Sequence, residues 1–223
     1  MVAVSVPKIP YQVPYRVPYR VPLAKMAGFV LERFPMPRKR RLVDPDGTYH
    51  LIARGNNKAR VFLDQQDYEK YLSLLLEARK RHGFALYHYV LMPNHIHLLL
   101  RPNTREMPKF MHWIHLSYSK YYCLKHHFVG HVWQGRYKSL PIEKDAYLFS
   151  CGNYIEMNPV RARLVKKPGD WPYSSYHVYA GLGRNELVDQ DPIYTDLGKK
   201  SSERESRYRL LVDKTRASGS SGL

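Results

Sequence analysis

Residues 84–101, with the sequence FALYHYVLMPNHIHLLLR, contain two apolar runs on either side of the dipeptide Pro93-Asn94. Both runs are rich in aromatic and branched side chains, which favour β-strands, and Pro-Asn favours a turn. We therefore predict strands at Phe84–Met92 and His95–Arg101, joined as a β-hairpin. Ile96 and the run Leu98–Leu100 place apolar side chains on both faces of the second strand, which indicates that it is buried.

The segments around this hairpin continue an alternation of strands and helices. Apolar periodicity, capping residues and turn signals predict their positions. They are a strand at Tyr49–Arg54, helices at Asp64–His82, Met107–His127 and Asp145 to about Asn158, and a strand at Val132–Ile142. The order β-α-β-β-α-β-α matches the ferredoxin-like pattern. We therefore predict an α+β fold with helices on one face of an antiparallel sheet.

The chain has 223 residues and a formal net charge of +17, from 36 Lys and Arg against 19 Asp and Glu. This excess of positive charge indicates a polyanionic partner, with nucleic acid ahead of an anionic membrane. The sequence contains no apolar run long enough to span a bilayer and no recognisable signal peptide. Its two cysteines cannot form a disulfide framework, so we expect a cytoplasmic protein.

About half of the excess charge lies in residues 1–41, where the tetrapeptide Tyr-X-Val-Pro occurs three times between residues 11 and 22. Because each unit contains proline, residues 1–35 are expected to form an extended or disordered leader rather than a helix. Its aromatic and basic residues would alternatively suit an arm that follows a nucleic-acid backbone. We predict a globular domain at 36–181, followed at 182–223 by a polar tail with a short helix ending near Asp213.

His95 and His97 are the first candidates for chemistry. Alternate residues of a strand point to the same face about 6.5–7 Å apart, so two imidazoles at this spacing can bind one metal ion. The alternative is a pair of histidines on the solvated face of a half-buried strand. With 11 histidines in the chain, such a pair can arise by chance, so spacing leaves both interpretations open.

Tyr154 and Asn158 are the second candidates, one turn apart on the third predicted helix. A tyrosine oxygen can act as a nucleophile, and an amide oxygen can bind a hard metal ion. However, the chain contains 19 tyrosines, and spacing does not single out Tyr154 among them. Cys151 precedes Tyr154 by three residues and fits a structural thiol better than a nucleophile.

Aromatic and basic residues alternate at Trp133–Lys138, and a basic and polar segment lies at Arg54–Asn57. Arg and Lys suit phosphates, whereas Trp can stack on unpaired bases. The alternative for the first segment is an amphipathic strand with Trp133 in the core. The candidate DNA-contacting residues are Arg38, Lys39, Arg40, Arg41, Arg54, Asn56, Asn57, Trp133, Arg136 and Lys138.

Several segments together resemble the REP-associated tyrosine transposases, single-tyrosine members of the HUH endonuclease superfamily. Met92–Leu99 is similar to the histidine–hydrophobic–histidine motif, and Tyr154–Ala162 is similar to the segment that carries the catalytic tyrosine. Further similarities occur at Tyr49–Asn57, Trp133–Tyr137 and Trp171–Ser175. The motifs follow the family's order and extend from about residue 36 to residue 181, the region expected to form the catalytic domain.

The resemblance implies a metal-dependent endonuclease and strand transferase on the HUH fold that acts on palindromic single-stranded DNA hairpins. Tyr154 would attack a phosphodiester and leave a 5′-phosphotyrosine link and a free 3′-hydroxyl. His95, His97 and Asn158 would bind Mg²⁺ or Mn²⁺. Loops around Arg54–Asn57 and the basic cluster at 38–41 would read the hairpin. The protein would act as a monomer or homodimer at the bacterial nucleoid and would not bind a membrane.

Two alternatives use the same residues differently. A non-catalytic nucleic-acid-binding regulator on this fold would not need Tyr154, both motif histidines and Asn158 together. A metal hydrolase that activates water would need an acidic residue as base or third ligand, and the histidine motif contains none.

Overall fold

The computed structural model describes residues 42–142 and 145–219, except the side chains of 145–147 and 216–219. Its centre is a four-stranded antiparallel sheet in the order β2-β3-β1-β4. The strands are β1 (Thr48–Arg54), β2 (Ala85–Met92), β3 (His95–Arg101) and β4 (Lys138–Ile142). This sheet confirms the predicted α+β, ferredoxin-like fold.

Helices connect and flank the strands. In chain order they are α1 (Gln65–His82), α2 (Met107–His126), α3 (Asp145–Glu156), α4 (Asn158–Arg161), α5 (Tyr176–Tyr179), α6 (Pro192–Asp196) and α7 (Ser201–Gly219). Among the described residues, none of these helices is both long enough and apolar enough to cross a membrane. Taken together, these strands and helices follow the predicted order β-α-β-β-α-β-α, and further helices come after it.

The capping residues explain why α1 begins and ends where it does. Asp64 is the N-cap and accepts a hydrogen bond from the backbone N–H of Asp67 at 3.2 Å, which satisfies one of the first helical donors. Gly83 ends the helix with φ of 67°, a left-handed conformation that glycine adopts without strain. Both boundaries agree with the prediction.

The sheet has one face that carries four histidines. Side chains of β3 alternate, so His95, His97 and Leu99 point to the same side. Leu99 pairs with His50 of β1 and with His88 of β2. Because paired residues of antiparallel strands share a face, His50, His88, His95 and His97 lie together on what we call the histidine face.

The opposite face of the sheet is buried beneath α1 and α2, which pack against each other. The side chains of Leu51, Leu98 and Leu100 on this face are fully buried. Each such side chain contributes about 1.5–3 kcal/mol when it leaves water. This core holds β1 and β3 rigidly, and these strands supply three of the four histidines.

A second helical layer, α3, covers the histidine face, so helices lie on both faces of the sheet and not on one face as predicted. A Cβ built on Gly152 of α3 would lie 2.6 Å from the His88 ring, so the helix backbone approaches β2 very closely. α3 ends at Glu156, one short turn before α4 begins at Asn158. The sequence predicted one helix to about Asn158. Pro159, near the start of α4, cannot donate its backbone nitrogen to a continuing helix.

The last predicted strand is shorter than expected. Only Lys138–Ile142 pairs as β4, whereas the prediction began at Val132. Gly135 has φ of 70°, which takes the chain out of the extended conformation. Before it, Trp133 makes a single antiparallel bridge to Gly55. The segment at 132–137 is therefore an irregular connection that lies against the end of β1.

The segment after residue 181 is packed rather than a solvated tail. α7 runs from Ser201 to Gly219, well beyond the expected end near Asp213. Tyr194 and Tyr208 are fully buried in a second apolar cluster that also contains Met157, next to the end of α3. The C-terminal helices therefore support the region that carries Tyr154. Alternation of charged residues with widely spaced apolar ones concealed this role in the sequence.

Candidate active site

Three histidines form a compact cluster in the middle of the sheet. His50 Nε2 and His97 Nδ1 share a hydrogen bond of 2.8 Å, and the two rings stack with centroids 5.0 Å apart. The His95 ring lies 5.1 Å from the His97 ring, edge to face. We call His50, His95 and His97 the histidine cluster. The two motif histidines predicted from their spacing thus come together, and His50 joins them from the neighbouring strand.

Burial keeps the cluster neutral. Loss of solvation lowers the pKa of His50 to about 4. Loss of solvation, and then the charge of Arg54, lowers the pKa of His95 to about 4. Loss of solvation also places the pKa of His97 well below its usual range, with smaller contributions from the neighbouring histidines and Arg54. Neutral imidazole is the form that binds metal ions.

Hydrogen bonds identify the nitrogen that each motif histidine can offer to a metal ion. Asn94 Nδ2 donates to the Lys58 carbonyl at 3.1 Å, so Asn94 Oδ1 faces His95 Nδ1 at 2.7 Å. That oxygen only accepts, so Nδ1 of His95 carries the proton and Nε2 carries the lone pair. Nε2 of His97 is buried and has no hydrogen-bond partner within the described part of the chain. This donor set fits a divalent metal ion.

Tyr154 of α3 lies over this cluster. Its ring centroid is 5.9 Å from that of His97 and 6.2 Å from that of His50, in edge-to-face contacts. The Arg161 guanidinium carbon lies 4.9 Å from the centroid of the Tyr154 ring. The structure therefore brings the predicted nucleophile, both motif histidines and a cation into one place. A cation beside the phenol stabilises negative charge that develops on its oxygen.

Asn158 is the first residue of α4, two positions after the end of α3, and is 7% exposed. Its amide nitrogen donates to the backbone carbonyls of Tyr154 at 2.8 Å and Ile155 at 3.2 Å. These carbonyls have no helical donor because α3 stops here, so the side chain satisfies them. The amide oxygen is the group of Asn158 that can serve as a metal ligand.

A polar turn after β1 is tied to the histidine motif. The Gly55 backbone N–H donates to the carbonyl of Asn94 at 2.8 Å. Asn56 and Asn57 are exposed on this turn, and Asn57 has φ of 49°, a left-handed conformation that asparagine tolerates. Two predicted DNA-contacting residues are thus presented to solvent close to the cluster, and half-buried Arg54 immediately precedes the turn.

The other predicted DNA-contacting residues differ in their exposure. Arg136 and Lys138 are exposed. Trp133 is 8% exposed, and its indole stacks on the His115 ring with centroids 4.6 Å apart. This packing favours the core alternative for Trp133 over stacking on a DNA base. Arg38, Lys39, Arg40 and Arg41 lie outside the described residues.

A separate cluster of possible metal ligands lies where α1 meets α2. Ligand atoms of Asp64, Asp67 and His126 lie within 4.8 Å of one another. Lys125 Nζ, however, lies 2.6 Å from a carboxylate oxygen of Asp64 and 3.0 Å from one of Asp67. Burial acts to raise the pKa of Asp67, but hydrogen bonds, including those from Lys125 and His126, lower it overall. These donors already balance the charge of the carboxylates, so we interpret the cluster as an ion-pair network joining the two helices.

Sequence reasoning missed two residues of the site. His50 is separated by 47 positions from His97, and only the register of β1 on β3 brings them together. A signal for His50 existed, because it is a polar residue within an apolar strand. Arg161 lies within the segment Tyr154–Ala162, but nothing in its spacing distinguishes it from other surface arginines.

The comparisons with known proteins match the same region of the chain. The family model of IS200-like transposases matches residues 45–158, slightly more than half of the chain. A Haemophilus influenzae protein named as a REP-associated tyrosine transposase is 31% identical over 104 residues, which cover 39% of this chain and 56% of the relative. A REP-associated tyrosine transposase of Escherichia coli K12 is 24% identical over 144 residues, covering 64% of this chain and 84% of the relative.

Among solved structures, a REP-associated tyrosine transposase bound to a REP hairpin has a similar fold. The TM-score is 0.55 at 19% sequence identity, and the match covers 71% of this chain and 93% of the other. At this identity the likeness concerns the fold. The chain spans only about half of the Haemophilus influenzae relative.

Proposed function

The chain belongs to the IS200-like transposase family, and we propose that it is a REP-associated tyrosine transposase that cuts and rejoins single-stranded DNA at hairpins. The observation that carries the proposal is the position of Tyr154, whose ring meets His97 and His50 edge to face beneath Arg161. A partly exposed phenol beside neutral imidazoles and a guanidinium is suited to attack a phosphodiester.

The proposed reaction is a phosphoryl transfer to tyrosine. The Tyr154 phenol loses its proton, and its oxygen forms a bond to the phosphorus of the scissile phosphodiester. The bond from phosphorus to the 3′-oxygen breaks, and that oxygen takes up a proton to become a 3′-hydroxyl. A phenol with a pKa of about 10 is a better leaving group than a sugar hydroxyl, so a 3′-hydroxyl can later attack the link and rejoin strands.

Arg161 is proposed to assist this exchange. A guanidinium over the ring stabilises the phenolate both when it attacks and when it leaves. Arg161 is exposed, so its free donors can also reach a DNA phosphate.

His95, His97 and Asn158 would hold a divalent metal ion, Mg²⁺ or Mn²⁺. When bound, such an ion would polarise the scissile phosphate and offset its charge. The protein prepares its part of this site in advance. The histidines are neutral, Asn94 directs the lone pair of His95 to Nε2, and His50 can hold His97 in the matching tautomer.

The DNA partner is proposed to be a hairpin of the kind bound by the structural neighbour. Arg54, Asn56 and Asn57 would contact it near the cut site, with Arg136 and Lys138 on phosphates. The cluster at 38–41 would add charge from the N-terminal side. Basic side chains of this kind bind phosphates, and short polar ones can read unpaired bases.

The test uses labelled single-stranded DNA that carries a palindromic hairpin, incubated with the full chain and Mn²⁺. The wild-type protein should form a covalent adduct that survives denaturation, and EDTA should prevent it. Tyr154→Phe should form no adduct and bind the hairpin with unchanged affinity. Tyr173→Phe is the matched control, because this half-buried tyrosine stacks on Tyr68 away from the cluster.

Two outcomes would contradict the proposal. Adduct formation by Tyr154→Phe would remove Tyr154 from the mechanism. Tight hairpin binding by the wild-type protein without any adduct would favour the non-catalytic regulator.

A further inference from the structure

A buried histidine is held between two carboxylates beneath α3. His88 Nδ1 lies 2.9 Å from a carboxylate oxygen of Glu156, and His88 Nε2 lies 2.9 Å from one of Asp191. All three side chains are essentially inaccessible to solvent. The sequence offers no sign of this group, because its members come from β2, the end of α3 and the N-cap of α6.

The group carries charge at neutral pH. Burial acts to lower the pKa of His88, but the charges and hydrogen bonds of the two carboxylates raise it to about 9. Burial acts to raise the pKa of Asp191, yet the hydrogen bond from His88 contributes to a net lowering. Protonated His88 therefore donates to both carboxylates.

Further donors complete the network. Ser175 Oγ and the Tyr208 hydroxyl each donate to Glu156 at 2.6 Å, one to each carboxylate oxygen. The Tyr194 backbone N–H donates to Asp191 at 2.9 Å. A buried charge is tolerated when its hydrogen-bonding capacity is filled in this way, and removal of one partner is costly. We call His88, Glu156, Asp191, Ser175 and Tyr208 the buried network.

The network contacts α3 on both sides of Tyr154. Glu156 follows Tyr154 by two residues and is bonded to His88. Gly152 precedes Tyr154 by two residues, and its backbone lies directly on the His88 ring. His88 is itself fixed by the two carboxylates and by the Tyr179 ring, which stacks on it with centroids 4.4 Å apart. The position of α3 over β2 is therefore set at two points that flank the tyrosine.

We propose that the buried network positions Tyr154. His88 and Tyr208 hold α3, through Glu156, at the distance from the sheet that places the phenol over the histidine cluster. The inference rests on the proposed function, because it assigns His88 and Tyr208 as positioning residues for that reaction. The C-terminal helices become part of the catalytic apparatus through Tyr208 of α7. A displacement of about 1 Å at a reacting group can reduce a rate about 100-fold, so small shifts of α3 should be visible in catalysis.

The test compares two tyrosines of the same apolar cluster. Tyr208→Phe removes the hydroxyl that donates to Glu156, whereas Tyr194→Phe removes one that donates to the Tyr179 carbonyl at 3.2 Å. Both side chains are fully buried, so the two variants lose similar packing. His88→Gln is the third variant, because glutamine is neutral and carries both of its donors on one nitrogen, whereas His88 donates from two nitrogens on opposite sides of its ring.

Three quantities are measured with the full chain, Mn²⁺ and the labelled hairpin DNA. They are the single-turnover rate of adduct formation, the Kd for the hairpin and the Tm. We expect Tyr208→Phe and His88→Gln to slow adduct formation by at least about tenfold. The Kd should stay within about twofold of wild type, since the DNA surface is unchanged. Tyr194→Phe should lower Tm comparably and leave the rate within about twofold of wild type.

Equal rates in Tyr208→Phe and Tyr194→Phe, or a loss of hairpin affinity that parallels the loss of rate, would overturn the positioning role. In the first case the network only stabilises the fold, and in the second it shapes the DNA surface. Failure of the proposed function has a different signature. An adduct on Tyr154→Phe, or none on the wild-type protein, would remove the reaction that the network is proposed to serve and would overturn both.

Discussion

At the scale of single residues, the site depends on neighbours that determine which nitrogen of each histidine is available. Asn94 does this for His95, and a neutral His50 that accepts through Nε2 would do it for His97. Such partners are commonly worth 10–100-fold in metal affinity or activity. The spacing of His95 and His97 predicted their shared direction, because alternate residues of a strand share a face. It could not predict His50, whose approach depends on strand register.

His50→Ala should therefore weaken Mn²⁺ activation. Without His50, Nδ1 of His97 loses its partner and the imidazole can adopt the wrong tautomer. The Mn²⁺ concentration for half-maximal adduct formation should rise by about 10–100-fold. His112→Ala, at an exposed histidine of α2, should change it little. An unchanged Mn²⁺ requirement in His50→Ala would show that His97 is oriented by other contacts.

Arg161→Ala should slow both adduct formation and rejoining, because the phenolate then lacks its neighbouring cation. The expected loss is about 2- to 5-fold, which corresponds to the ~0.5–1 kcal/mol of an exposed cation–π contact. Arg161→Lys should recover only part of the rate, since lysine lacks the planar guanidinium. Arg163→Ala, at another exposed arginine of the same segment, is the control. Equal rates in the two alanine variants would remove Arg161 from the mechanism.

At the scale of elements, boundaries followed from sequence wherever a local signal sets them. Asp64 and Gly83 delimit α1, and the Pro93-Asn94 turn delimits the hairpin. The strand β4 was predicted, but its start was not, because Gly135 interrupts a segment whose composition favours a strand. The length and packing of α7 were underestimated for another reason. Its buried contacts, such as Tyr208 to Glu156, are made with distant parts of the chain.

Gly152 shows how an element-level constraint can oppose local propensity. Gly152→Ala would stabilise an isolated helix by about 1 kcal/mol. Here the new Cβ would lie 2.6–2.7 Å from three atoms of the His88 ring, which the carboxylates hold in place. Overpacking of this kind costs about 1–3 kcal/mol, so the steric effect should win. Thermal unfolding should show a lower Tm, and adduct formation should slow as α3 moves away.

Gly183→Ala is the control for this substitution. No atom lies within 4 Å of a Cβ built there, so its Tm should remain close to that of wild type. A Tm for Gly152→Ala equal to or above the wild-type value would mean that α3 and β2 separate without cost.

At the scale of the whole molecule, the charged groups of the interior predict how stability depends on pH. On the acid side, His50, His95 and His97 are neutral in the folded protein but protonate near pH 6.5 when unfolded. The unfolded state then binds more protons, so stability falls as pH decreases from about 6.5 towards 4. Buried His115 of α2, whose pKa burial lowers to about 3, contributes to the same loss. The loss reflects burial of these histidines and not the buried network, so it should be present in the Tyr208→Phe variant as well.

On the alkaline side, the titration of His88 should determine most of the pH dependence of folding stability up to about pH 9. Its pKa is raised from 6.5 to about 9, so its stabilising contribution is complete below pH 6.5 and is lost as pH rises through 9. The buried Cys151 has its pKa raised to about 12, so its effect starts only where the unfolded thiol ionises, near pH 9.

Denaturant unfolding between pH 6.5 and 9 should therefore give a free energy of unfolding that declines by up to about 1.4 kcal/mol per pH unit. In His88→Gln the decline should vanish and the free energy at pH 6.5 should be lower. A wild-type profile that is flat between pH 6.5 and 9 would mean that His88 is neutral in the folded protein.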